Sequence, residues 1–492
     1  MSEIIELFDF KTKPYEHQMQ VLEKSWQEKY YALFMEMGTG KSKIAVDTLG
    51  LLYQENEIDA ALIIAPKGVY HNWVYKEIPS HMSDKTDYVV LAWQPNITQK
   101  FRSSFENLCH TKKLKIFVMN VEALSTAKGT NTAHWFTKRF PNSMIIVDES
   151  TTIKNRKASR TKNVIYVGQN CKYKRILTGS PITQSPMDLY SQCEFLNPTL
   201  LNFKSYYSFQ ARYAVLQKRN FGPRSIQQIV GFRKLEELNE KLDGFSSRTL
   251  KKDCLDLPDK IFIRREVPLS PEQNKVYMQM SKLALAMLED GQLSTTTNVL
   301  TQIIRLQQIC CGFINDDEGN TTEIKNDRLN ELINVCEEAN GKIIIWATFV
   351  HDIVNIGQEL SEKFGKDSFV TFYGATSQEE RQIAVDSFQD PDSNVRFFVG
   401  NSRTGGFGIT LTQANTVIYY SNNYDLEIRL QSEDRAHRIG QTKSVTYVDL
   451  VSPKTVDEKV LKALKSKKNL ASKVLGEELK DWLTDESQMK LI

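Results

Sequence analysis

The 492 residues of the chain exceed what one hydrophobic core usually organises, so at least two domains are expected. Hydrophobic residues make up 41% and charged residues 25%, as in globular proteins, and no run approaches the ~20 apolar residues that span a bilayer. The net charge of +3 does not by itself indicate a polyanionic partner. The seven cysteines include no C-x-x-C pair, which argues against a disulfide framework or zinc site and favours a reducing, cytoplasmic compartment.

Short apolar runs rich in β-branched residues alternate with helical patterns in two stretches of the chain. Such runs are typical of buried parallel strands. In the first half they lie at 31–35, 60–65, 115–119, 143–147 and 175–178. In the second half they lie at 342–347, 369–373, 395–399, 416–420 and 445–451. The sequence therefore predicts two α/β sheets.

Two further regions have helical patterns. Between the sheets, residues 202–290 include the heptad-like series Leu235, Leu238 and Leu242, which predicts helices rather than strands. After the last strand, residues 455–458 have the T-x-x-E form of a capping box, and apolar residues follow at helical spacing. We expect this final helix to pack against the second sheet.

The first strand run leads into the segment MEMGTGKS, residues 35–42, and then into a helical pattern. Glycines let the backbone curl so that N–H groups and a helix N-terminus face a phosphate, while a lysine adds a point charge. A serine hydroxyl at the helix start can ligate Mg²⁺. The segment predicts a Walker A phosphate loop, and on this motif alone the alternative is an ordinary glycine-containing helix start. The residues concerned are Gly38, Thr39, Gly40, Lys41 and Ser42.

An acidic pair ends the apolar run at 143–147. Asp148 can hold a hydrated magnesium ion, and Glu149 can orient and polarise an attacking water. Acidic residues are also common at strand ends for structural reasons. The order of a phosphate loop followed by an acidic strand end is the order that a nucleotide hydrolase requires, which favours the catalytic interpretation.

The second half contributes the segment DRAHRIGQ, residues 434–441. Arg435 and Arg438 are expected three residues apart on a helix, so that they point from one face. Permanently charged guanidinium groups suit the stabilisation of a transferring phosphoryl group. Taken in isolation, an R-x-x-R pair is more often a solvated basic face.

Together these segments resemble the Swi/Snf family of superfamily 2 helicase-like ATPases over nearly the whole chain. The matching segments are 14–18 (PYEHQ), 37–42 (MGTGKS), 63–67 (IIAPK), 71–73 (HNW), 148–155 (DESTTIKN), 177–182 (LTGSPI), 195–198 (FLNP), 248–260, 342–346 (KIIIW), 373–388, 401–411 (NSRTGGFGITL) and 434–441 (DRAHRIGQ). Met35 and Ser42 depart mildly from the common phosphate-loop spelling, and Thr151 stands where the family usually has histidine. We therefore expect altered coupling between the acidic pair and the segment 177–182.

The resemblance implies an α/β fold class: a P-loop NTPase with the superfamily 2 helicase core, two RecA-like lobes with parallel sheets, and helical protrusions. Lobe 1 is expected at 1–245, with a protrusion near 199–245, and an inter-lobe linker at 246–264. Lobe 2 is expected at 265–455, with a protrusion near 270–325, and a C-terminal helical segment at 456–492.

The resemblance also implies site residues for ATP and Mg²⁺ in a cleft between the lobes. Gln18 would read adenine, and the phosphate-loop residues, joined by Gly406, would bind the nucleotide. Ser42 and Asp148 would bind the metal. Arg435 and Arg438 would be arginine fingers, completing a catalytic set with Lys41, Asp148 and Glu149.

A motor that steps over any sequence should contact mainly the phosphate backbone. The expected DNA-binding residues are Lys67, Asn120, Lys154, Arg403, Gly405 and Tyr424, the last in a position where the family usually has tryptophan. For Lys67 or Lys154 alone, a solvated surface lysine is an equal alternative. Five basic residues within 154–162 favour a local nucleic-acid surface just after the acidic pair.

We therefore expect a DNA-dependent ATPase that acts as a monomeric translocase on double-stranded DNA. It would associate with nucleoid or viral DNA and act with replication, repair or recombination proteins rather than at a membrane. We expect a bacterial or viral member. One alternative is a superfamily 2 helicase that separates DNA or RNA strands, although the sequence shows no obvious strand-splitting hairpin. The other is an ATP-binding DNA clamp or scaffold without useful turnover.

Overall fold

The computed structural model describes residues 8–221, 224–289, 296–315, 320–405 and 408–474. The chain forms two compact units whose boundary falls between Asp256 and Leu257. The last described residues, from Lys468, group with the first unit. This boundary lies inside the predicted linker 246–264. Each unit contains one parallel sheet with its own apolar cores.

The first unit contains a seven-stranded parallel sheet. Its strands and an additional hairpin are β1 (Tyr30–Met35), β2 (Ala60–Ala65), β3 (Tyr88–Ala92), β4 (Leu114–Asn120), β5 (Ser143–Asp148), β6 (Tyr173–Leu177), β7 (Ala214–Phe221), β8 (Arg224–Phe232) and β9 (Ser246–Thr249). The sheet order is β3-β4-β2-β5-β6-β1-β9, with β7 and β8 apart from it. Strand β2 has the sequence AALIIA and is buried throughout, because helices cover both faces of the sheet.

Helices flank this sheet and complete two cores. They are α1 (Glu16–Ser25), α2 (Lys41–Gln54), α3 (Tyr70–Asn72), α4 (Ile78–His81), α5 (Gln99–His110), α6 (Ala127–Arg139), α7 (Ser159–Gly168), α8 (Asp188–Leu196), α9 (Tyr206–Tyr213), α10 (Leu235–Asp243) and α11 (Lys251–Cys254). A π-helical turn spans Trp73–Glu77, and 3₁₀ turns span Val121–Ser125 and Ser150–Ile153. Neighbouring residues of β2 enter different cores: Leu62 lies in one and Ile63 in the other.

The predicted helical protrusion near 199–245 is only partly helical. Helices α9 and α10 are present, but the antiparallel hairpin of β7 and β8 occupies the chain between them. The sequence carried two signals for this hairpin. Residues 226–230 (IQQIV) are rich in β-branched side chains, and the preceding Gly-Pro dipeptide at 222–223 is typical of a turn.

The second unit contains a six-stranded parallel sheet in the order β10-β17-β16-β13-β15-β14. The strands of this unit are β10 (Lys260–Glu266), β11 (Phe313–Asn315), β12 (Thr321–Glu323), β13 (Lys342–Trp346), β14 (Phe369–Phe372), β15 (Phe397–Gly400), β16 (Ala414–Tyr419) and β17 (Val445–Val451). Strands β11 and β12 form a separate antiparallel pair. All ten predicted strands occur in the two sheets, each within two residues at either end.

Two of the described helices of the second unit fall within the range 270–325, where a protrusion is expected. The helices of this unit are α12 (Pro271–Glu289), α13 (Thr296–Cys311), α14 (Arg328–Glu338), α15 (Val350–Phe364), α16 (Gln378–Gln389), α17 (Ser402–Gly405), α18 (Leu426–Glu433) and α19 (Val456–Val474), with a 3₁₀ turn at Lys366–Ser368. The sequence predicted that the last helix packs on the sheet. Instead, Val460 and Leu464 of α19 share a core with Tyr277 of α12 and Ile309 of α13.

The predicted linker 246–264 contributes one edge strand to each sheet. Strand β9 pairs with β1, and strand β10 pairs with β17 over its full length. The main chain of this linker is therefore fixed by strand pairing on both sides of the boundary at Asp256.

Two composition-based expectations can be compared with the structure. Across the described ranges, no helix combines the length and apolar character required to cross a membrane. All seven cysteines carry free thiols, and six of them are buried.

Candidate nucleotide site and nucleic-acid contacts

Parallel pairing brings three predicted motifs to the same edge of the first sheet. Leu33 of β1 and Asp148 of β5 both pair with Leu177 of β6 in the strand register. Because the carboxyl ends of parallel strands meet at one edge, the loops that follow these three strands are neighbours. These loops contain the phosphate-loop segment, the acidic pair and the segment 177–182.

The loop after β1 has the geometry of a phosphate loop. Gly38 and Gly40 have φ angles of 84° and 95°, in the left-handed region that favours glycine. The Thr39 hydroxyl donates to the Glu36 backbone oxygen at 2.7 Å, and Lys41 begins the 14-residue helix α2. Ser42 follows and is partly buried. The loop therefore turns its chain directly into a helix N-terminus, an arrangement suited to an anion.

The Lys41 ammonium lies over this loop. It is buried and donates to the backbone oxygens of Met35 at 2.8 Å and Glu36 at 3.2 Å. These contacts hold the positive charge at the end of β1, where a phosphate bound by the loop would meet it.

Two side chains that precede β1, those of His17 and Gln18, hydrogen-bond to the phosphate loop. His17 Nε2 and Gln18 Nε2 both donate to the Thr39 backbone oxygen, at 2.9 and 3.1 Å. Gln18 Oε1 accepts the Tyr15 N–H at 3.0 Å. A Cβ added at Gly40 would lie 2.1 Å from Gln18 Nε2, so position 40 requires glycine for space as well as for its φ angle. The sequence placed His17 in the matching segment 14–18 without giving it a role, and the adenine-reading role of Gln18 stays a prediction.

Asp148 of the acidic pair is held by the indole of Trp73, from the matching segment 71–73. Trp73 is buried, and its Nε1 donates to Asp148 Oδ2 at 2.9 Å, while the Glu149 N–H donates to Oδ1 at 3.0 Å. Burial raises the pKa of Asp148, whereas the Trp73 hydrogen bond and the Lys41 charge lower it. Trp73 also begins the π-helical turn, a feature often found at functional sites. Its position in the HNW segment was the signal available from sequence.

Glu149 has a strained backbone. Its φ and ψ angles of 47° and 61° lie in the left-handed region, which glutamate rarely adopts. Such strain persists where the surrounding structure imposes it, and it is concentrated at functional sites. The conformation agrees with the catalytic interpretation of this carboxylate.

A chain of hydrogen bonds connects the acidic pair to the segment 177–182. The Ser150 hydroxyl donates to Gln192 Oε1 at 2.7 Å, and Gln192 Nε2 donates to the Pro181 backbone oxygen at 2.8 Å. All of these atoms except those of Pro181 belong to fully buried side chains. Thr151, which stands where the family has histidine, is also buried. One connection between the two motifs thus passes through Ser150 and Gln192.

Lys154, an expected DNA contact, takes part in a second connection. Its Nζ donates to the Thr183 hydroxyl at 2.6 Å, and its backbone oxygen accepts from Ser191 Oγ at 2.7 Å. Asp188 Oδ2 in turn accepts the Thr183 N–H at 3.0 Å. Lys154 therefore has a structural role between two motifs, and its DNA contact stays a prediction.

The linker is attached to the start of the phosphate loop. Arg248 Nη1 donates to the backbone oxygens of Phe34 at 3.1 Å and Gly179 at 2.9 Å. Glu36 accepts the Lys251 N–H at 2.7 Å through its carboxylate and donates its own N–H to Thr249 at 3.0 Å. A displacement of the linker would therefore move the first residues of the phosphate loop.

In the second unit, the two predicted arginine fingers lie in a turn after α18 rather than on a helix face. Arg435 is buried and donates to the backbone oxygens of Gln431 at 2.9 Å and Ile409 at 3.0 Å. Arg438 Nη1 also lies within 3.4 Å of the Ile409 oxygen. The helical prediction was wrong because α18 ends at Glu433, yet the turn brings both guanidinium groups to one carbonyl.

The other expected DNA contacts of the first unit differ in exposure. Lys67 is exposed just after β2. Asn120 at the end of β4 is buried, and its Nδ2 donates to Glu122 Oε2 at 3.0 Å. Lys67 is thus available to a phosphate as placed, whereas the Asn120 amide already has a protein acceptor.

The expected DNA contacts of the second unit also differ in exposure. Arg403 is exposed at the start of α17, and Gly405 packs on Trp346, whose ring would lie 2.4 Å from an added Cβ. Tyr424 is half-exposed, with Lys467 Nζ 3.9 Å from its ring centroid and bonded to its backbone oxygen. Gly406, expected to bind the nucleotide, lies outside the described residues.

A phosphate loop after β1, with an acidic pair at the end of a strand two positions away in the sheet, is the arrangement of a P-loop nucleotide site. Residues 17–313 match the model of the SNF2-related domain, and residues 324–440 match that of the helicase conserved C-terminal domain. The chain belongs to the SNF2-related family.

Several known proteins are similar to this chain. An uncharacterized ATP-dependent helicase of Mycoplasma pneumoniae is 28% identical over 93% of the chain and 41% of its own length. A probable ATP-dependent DNA helicase of Arabidopsis thaliana is 26% identical over 89% of the chain and 39% of its own length. The SWI2/SNF2 ATPase core of Sulfolobus solfataricus, solved with dsDNA, matches with a TM-score of 0.41 and 23% identity, covering 98% and 97% of the two chains. The chain thus spans about two fifths of the length of the Mycoplasma pneumoniae and Arabidopsis thaliana relatives.

Proposed function

We propose that this chain is an ATP-dependent translocase on double-stranded DNA of the Swi/Snf type, which hydrolyses ATP to move on the duplex. The carrying observation is the arrangement at the edge of the first sheet. A glycine-rich loop with a buried lysine faces a desolvated aspartate held by Trp73, and a strained glutamate follows it.

The donor set fits ATP with Mg²⁺. Backbone N–H groups of the loop and the Lys41 ammonium would bind phosphate oxygens, while Ser42 and Asp148 offer the hard oxygen ligands that Mg²⁺ prefers. Magnesium bound there supplies charge neutralisation to the phosphates. Glu149 would orient and polarise the attacking water, and Arg435 and Arg438 would stabilise charge on the transferring phosphoryl group.

The contacts around the acidic pair suggest how hydrolysis is linked to movement. Gln192 joins Ser150 to Pro181, and Arg248 joins the linker to Phe34 and Gly179. A change at the acidic pair would therefore reach the segment 177–182, and a change at the start of the phosphate loop would reach the linker. We propose that these two connections transmit the state of the nucleotide to the DNA-binding residues.

Duplex DNA as the track follows from family membership and from the need of a motor to contact backbone phosphates rather than bases. We propose protein-bound, branched or replicating DNA as the natural substrate. Replication, repair or recombination proteins would be its partners, and the motor would act as a monomer.

A strand-separating helicase is the second candidate. The sequence showed no obvious strand-splitting hairpin, but the structure contains the β7–β8 hairpin, whose outer half is exposed where its side chains are described. This hairpin is the observation that favours the strand-separating helicase as a second candidate.

The testing experiment measures ATP hydrolysis with no nucleic acid, single-stranded DNA, duplex DNA or duplex RNA, with Glu149→Gln as the blank. Strong stimulation by duplex DNA, followed by displacement of a triplex-forming strand, is the result expected of a translocase. Stimulation by single strands or RNA only, together with unwinding of forked substrates, would favour the helicase. Turnover no higher than the blank throughout would contradict both and leave an ATP-binding clamp.

A further inference from the structure

The predicted linker contacts the turn that carries both expected arginine fingers. We call this turn, residues 434–438, the finger turn; it begins where α18 ends. His437 lies between the two arginines, is buried, and donates through Nε2 to the Pro258 backbone oxygen at 2.7 Å. Because a carbonyl oxygen only accepts, this bond places a proton on Nε2. The linker thereby holds the middle of the finger turn.

A second linker side chain holds the start of the finger turn. Lys260 Nζ lies 3.2 Å from Glu433 Oε2 and 3.5 Å from Asp434 Oδ1, and these carboxylates belong to the two residues directly before Arg435. The Glu433 side chain is 6% exposed and that of Lys260 26% exposed. Water and salt screen such a partly buried ion pair less than a surface one, so it can hold the linker against the turn.

Lys260 also balances the negative charge at the end of α18. Glu433 Oε1 accepts from Arg429 Nε at 2.8 Å, while its Oε2 faces Lys260. Without the Lys260 charge, the adjacent carboxylates of Glu433 and Asp434 would repel one another in a place where little water screens them. We therefore expect the chain to move at Asp434, the residue that precedes Arg435.

The linker strand β10 does not depend on these contacts for its own position. It pairs with β17 without a break over all 7 of its residues, and the Phe262 ring stacks on the Tyr447 ring at a centroid distance of 5.1 Å. The strand pairing and the stacked ring already fix β10. The contacts of Lys260 and Pro258 consequently act on the finger turn rather than on the strand.

Nearer its start, the same linker contacts the phosphate loop of the first unit. Arg248 Nη1 donates to the Phe34 backbone oxygen, and the Lys251 N–H donates to the Glu36 carboxylate. One continuous segment of chain thus contacts the loop expected to bind phosphate and the turn expected to carry the arginine fingers. A shift of the linker would change the position of both.

We propose that Lys260 and His437 are positioning residues for ATP hydrolysis, which hold the finger turn at the linker. Neither residue would touch the nucleotide. Their role is to keep the guanidinium groups of Arg435 and Arg438 in the orientation that stabilisation of a transferring phosphoryl group requires. The proposal rests on the proposed function, since it assumes ATP hydrolysis assisted by these two arginines.

The test uses paired variants and a matched control. Lys260→Met removes the charge and keeps the length of the side chain, and Lys260→Arg restores the charge. His437→Leu removes the Nε2 donor, and His437→Gln supplies an amide N–H donor. The control is Arg265→Met on the same strand. Arg265 also forms ion pairs with two carboxylates, Glu331 at 3.0 Å and Glu338, but these lie on α14 rather than at the finger turn.

Duplex-stimulated ATP hydrolysis is measured against ATP concentration, well below the unfolding temperature of each variant. For Lys260→Met and His437→Leu we expect kcat to fall about tenfold, since a misplacement of about 1 Å can cost about 10²-fold. KM for ATP and the affinity for a fluorescent ATP analogue should change by less than about twofold, because the arginines act on the transition state. Lys260→Arg, His437→Gln and the control should keep kcat within about twofold of the unmodified protein.

Four results would overturn the proposal. The first is an equal fall of kcat in Lys260→Met and Arg265→Met, which would indicate a general loosening of β10. The second is a raised KM with unchanged kcat, which would assign Lys260 to nucleotide binding. The third is an unchanged kcat in both Lys260→Met and His437→Leu. The fourth is a failure of both restoring variants.

Failure of the proposed function has a different signature. In that case ATP turnover of the unmodified protein is no higher than that of Glu149→Gln, or Arg438→Ala hydrolyses ATP at the normal rate. Either result is obtained without any change at Lys260 or His437, so the two failures are distinguished.

Discussion

The predicted site segments of the two units are built from different materials. In the first unit, the phosphate loop consists of backbone turned by Gly38 and Gly40 and is held from outside by His17 and Gln18. In the second unit, the segment 434–441 relies on large buried side chains that hydrogen-bond to the chain leading into β16. Arg435 donates to Ile409, and Gln441 Nε2 donates to Thr412 at 3.0 Å and to Ala414 at 2.8 Å.

This difference matches two kinds of chemistry. A cradle for phosphate requires backbone N–H groups that a ligand can approach, so side chains must stay out of the loop. A charge donor requires a guanidinium held at a fixed position, so its side chain must be packed and hydrogen-bonded. The first unit should therefore be sensitive to added atoms, and the second to removed ones.

The largest effect is expected from removing an arginine of the second unit. Arg438→Ala should lower duplex-stimulated ATP turnover by about 10³-fold or more, as for arginine fingers in general. Arg435→Ala should do the same and also destabilise the unit by about 1–3 kcal/mol, because it removes the guanidinium that bonds to the buried Gln431 backbone oxygen. The ATP hydrolysis rate and the thermal unfolding of both variants are measured. Arg438→Lys keeps the charge but not the planar guanidinium, and it tests whether that group's geometry is required. Turnover of Arg438→Ala within twofold of the unmodified protein would refute the assignment.

Glu149→Gln tests the acidic pair of the first unit. Loss of the general base should reduce turnover by about 10²–10⁴-fold, while nucleotide binding is retained. Hydrolysis rates and titration with a fluorescent ATP analogue measure the two properties. Glu106→Gln, an exposed position on α5, is the neutral control. Loss of nucleotide binding by Glu149→Gln would instead indicate a structural role.

Gly40→Ala tests whether the loop tolerates an added atom. The new Cβ would collide with Gln18 Nε2, and the φ angle of 95° costs about 1–2 kcal/mol for a residue with a side chain. We expect nucleotide affinity to fall by at least about tenfold, since 1.4 kcal/mol corresponds to a factor of ten.

Gly365→Ala is the matched control for this change. Gly365 has a φ angle of 96° and nothing within 4 Å of an added Cβ. Because its ψ angle of 155° lies in a region essentially confined to glycine, the variant should lose at least as much stability in thermal unfolding, but it should bind nucleotide normally. Equal nucleotide affinities of the two variants would contradict the steric argument.

Trp73→Phe should have the smallest effect of the four. Phenylalanine keeps most of the buried bulk but cannot donate to Asp148, so the carboxylate loses one of its two observed hydrogen bonds. We expect a severalfold higher Mg²⁺ concentration for half-maximal ATPase and weaker Mn²⁺ binding by electron paramagnetic resonance. Trp93→Phe, at another buried indole of the first unit, is the packing control. An identical metal requirement in both variants would reduce Trp73 to a packing role.

Much of the site could be predicted from the sequence because its signals are local. The phosphate loop and the acidic pair each follow an apolar run, and the loop's glycines adopt the positive φ angles that the motif implies. The edge strands of the two sheets were harder to predict from the sequence. Strands β9 and β10 were not predicted, because the short strand SSRT and the half-exposed strand KIFIRRE owe their conformation to pairing with distant strands.

The sequence by itself determined the two parallel sheets, the phosphate loop and the positions of Asp148 and Glu149, since each depends on residues adjacent in the chain. Only the tertiary structure decided which side chains support them. Trp73 meets Asp148 from 75 positions away, Gln18 reaches Thr39 across 21, and Arg435 and Ile409 lie 26 apart. Such contacts depend on where packed elements come to lie, because hydrogen bonds require a few tenths of an ångström of precision that periodicity cannot supply.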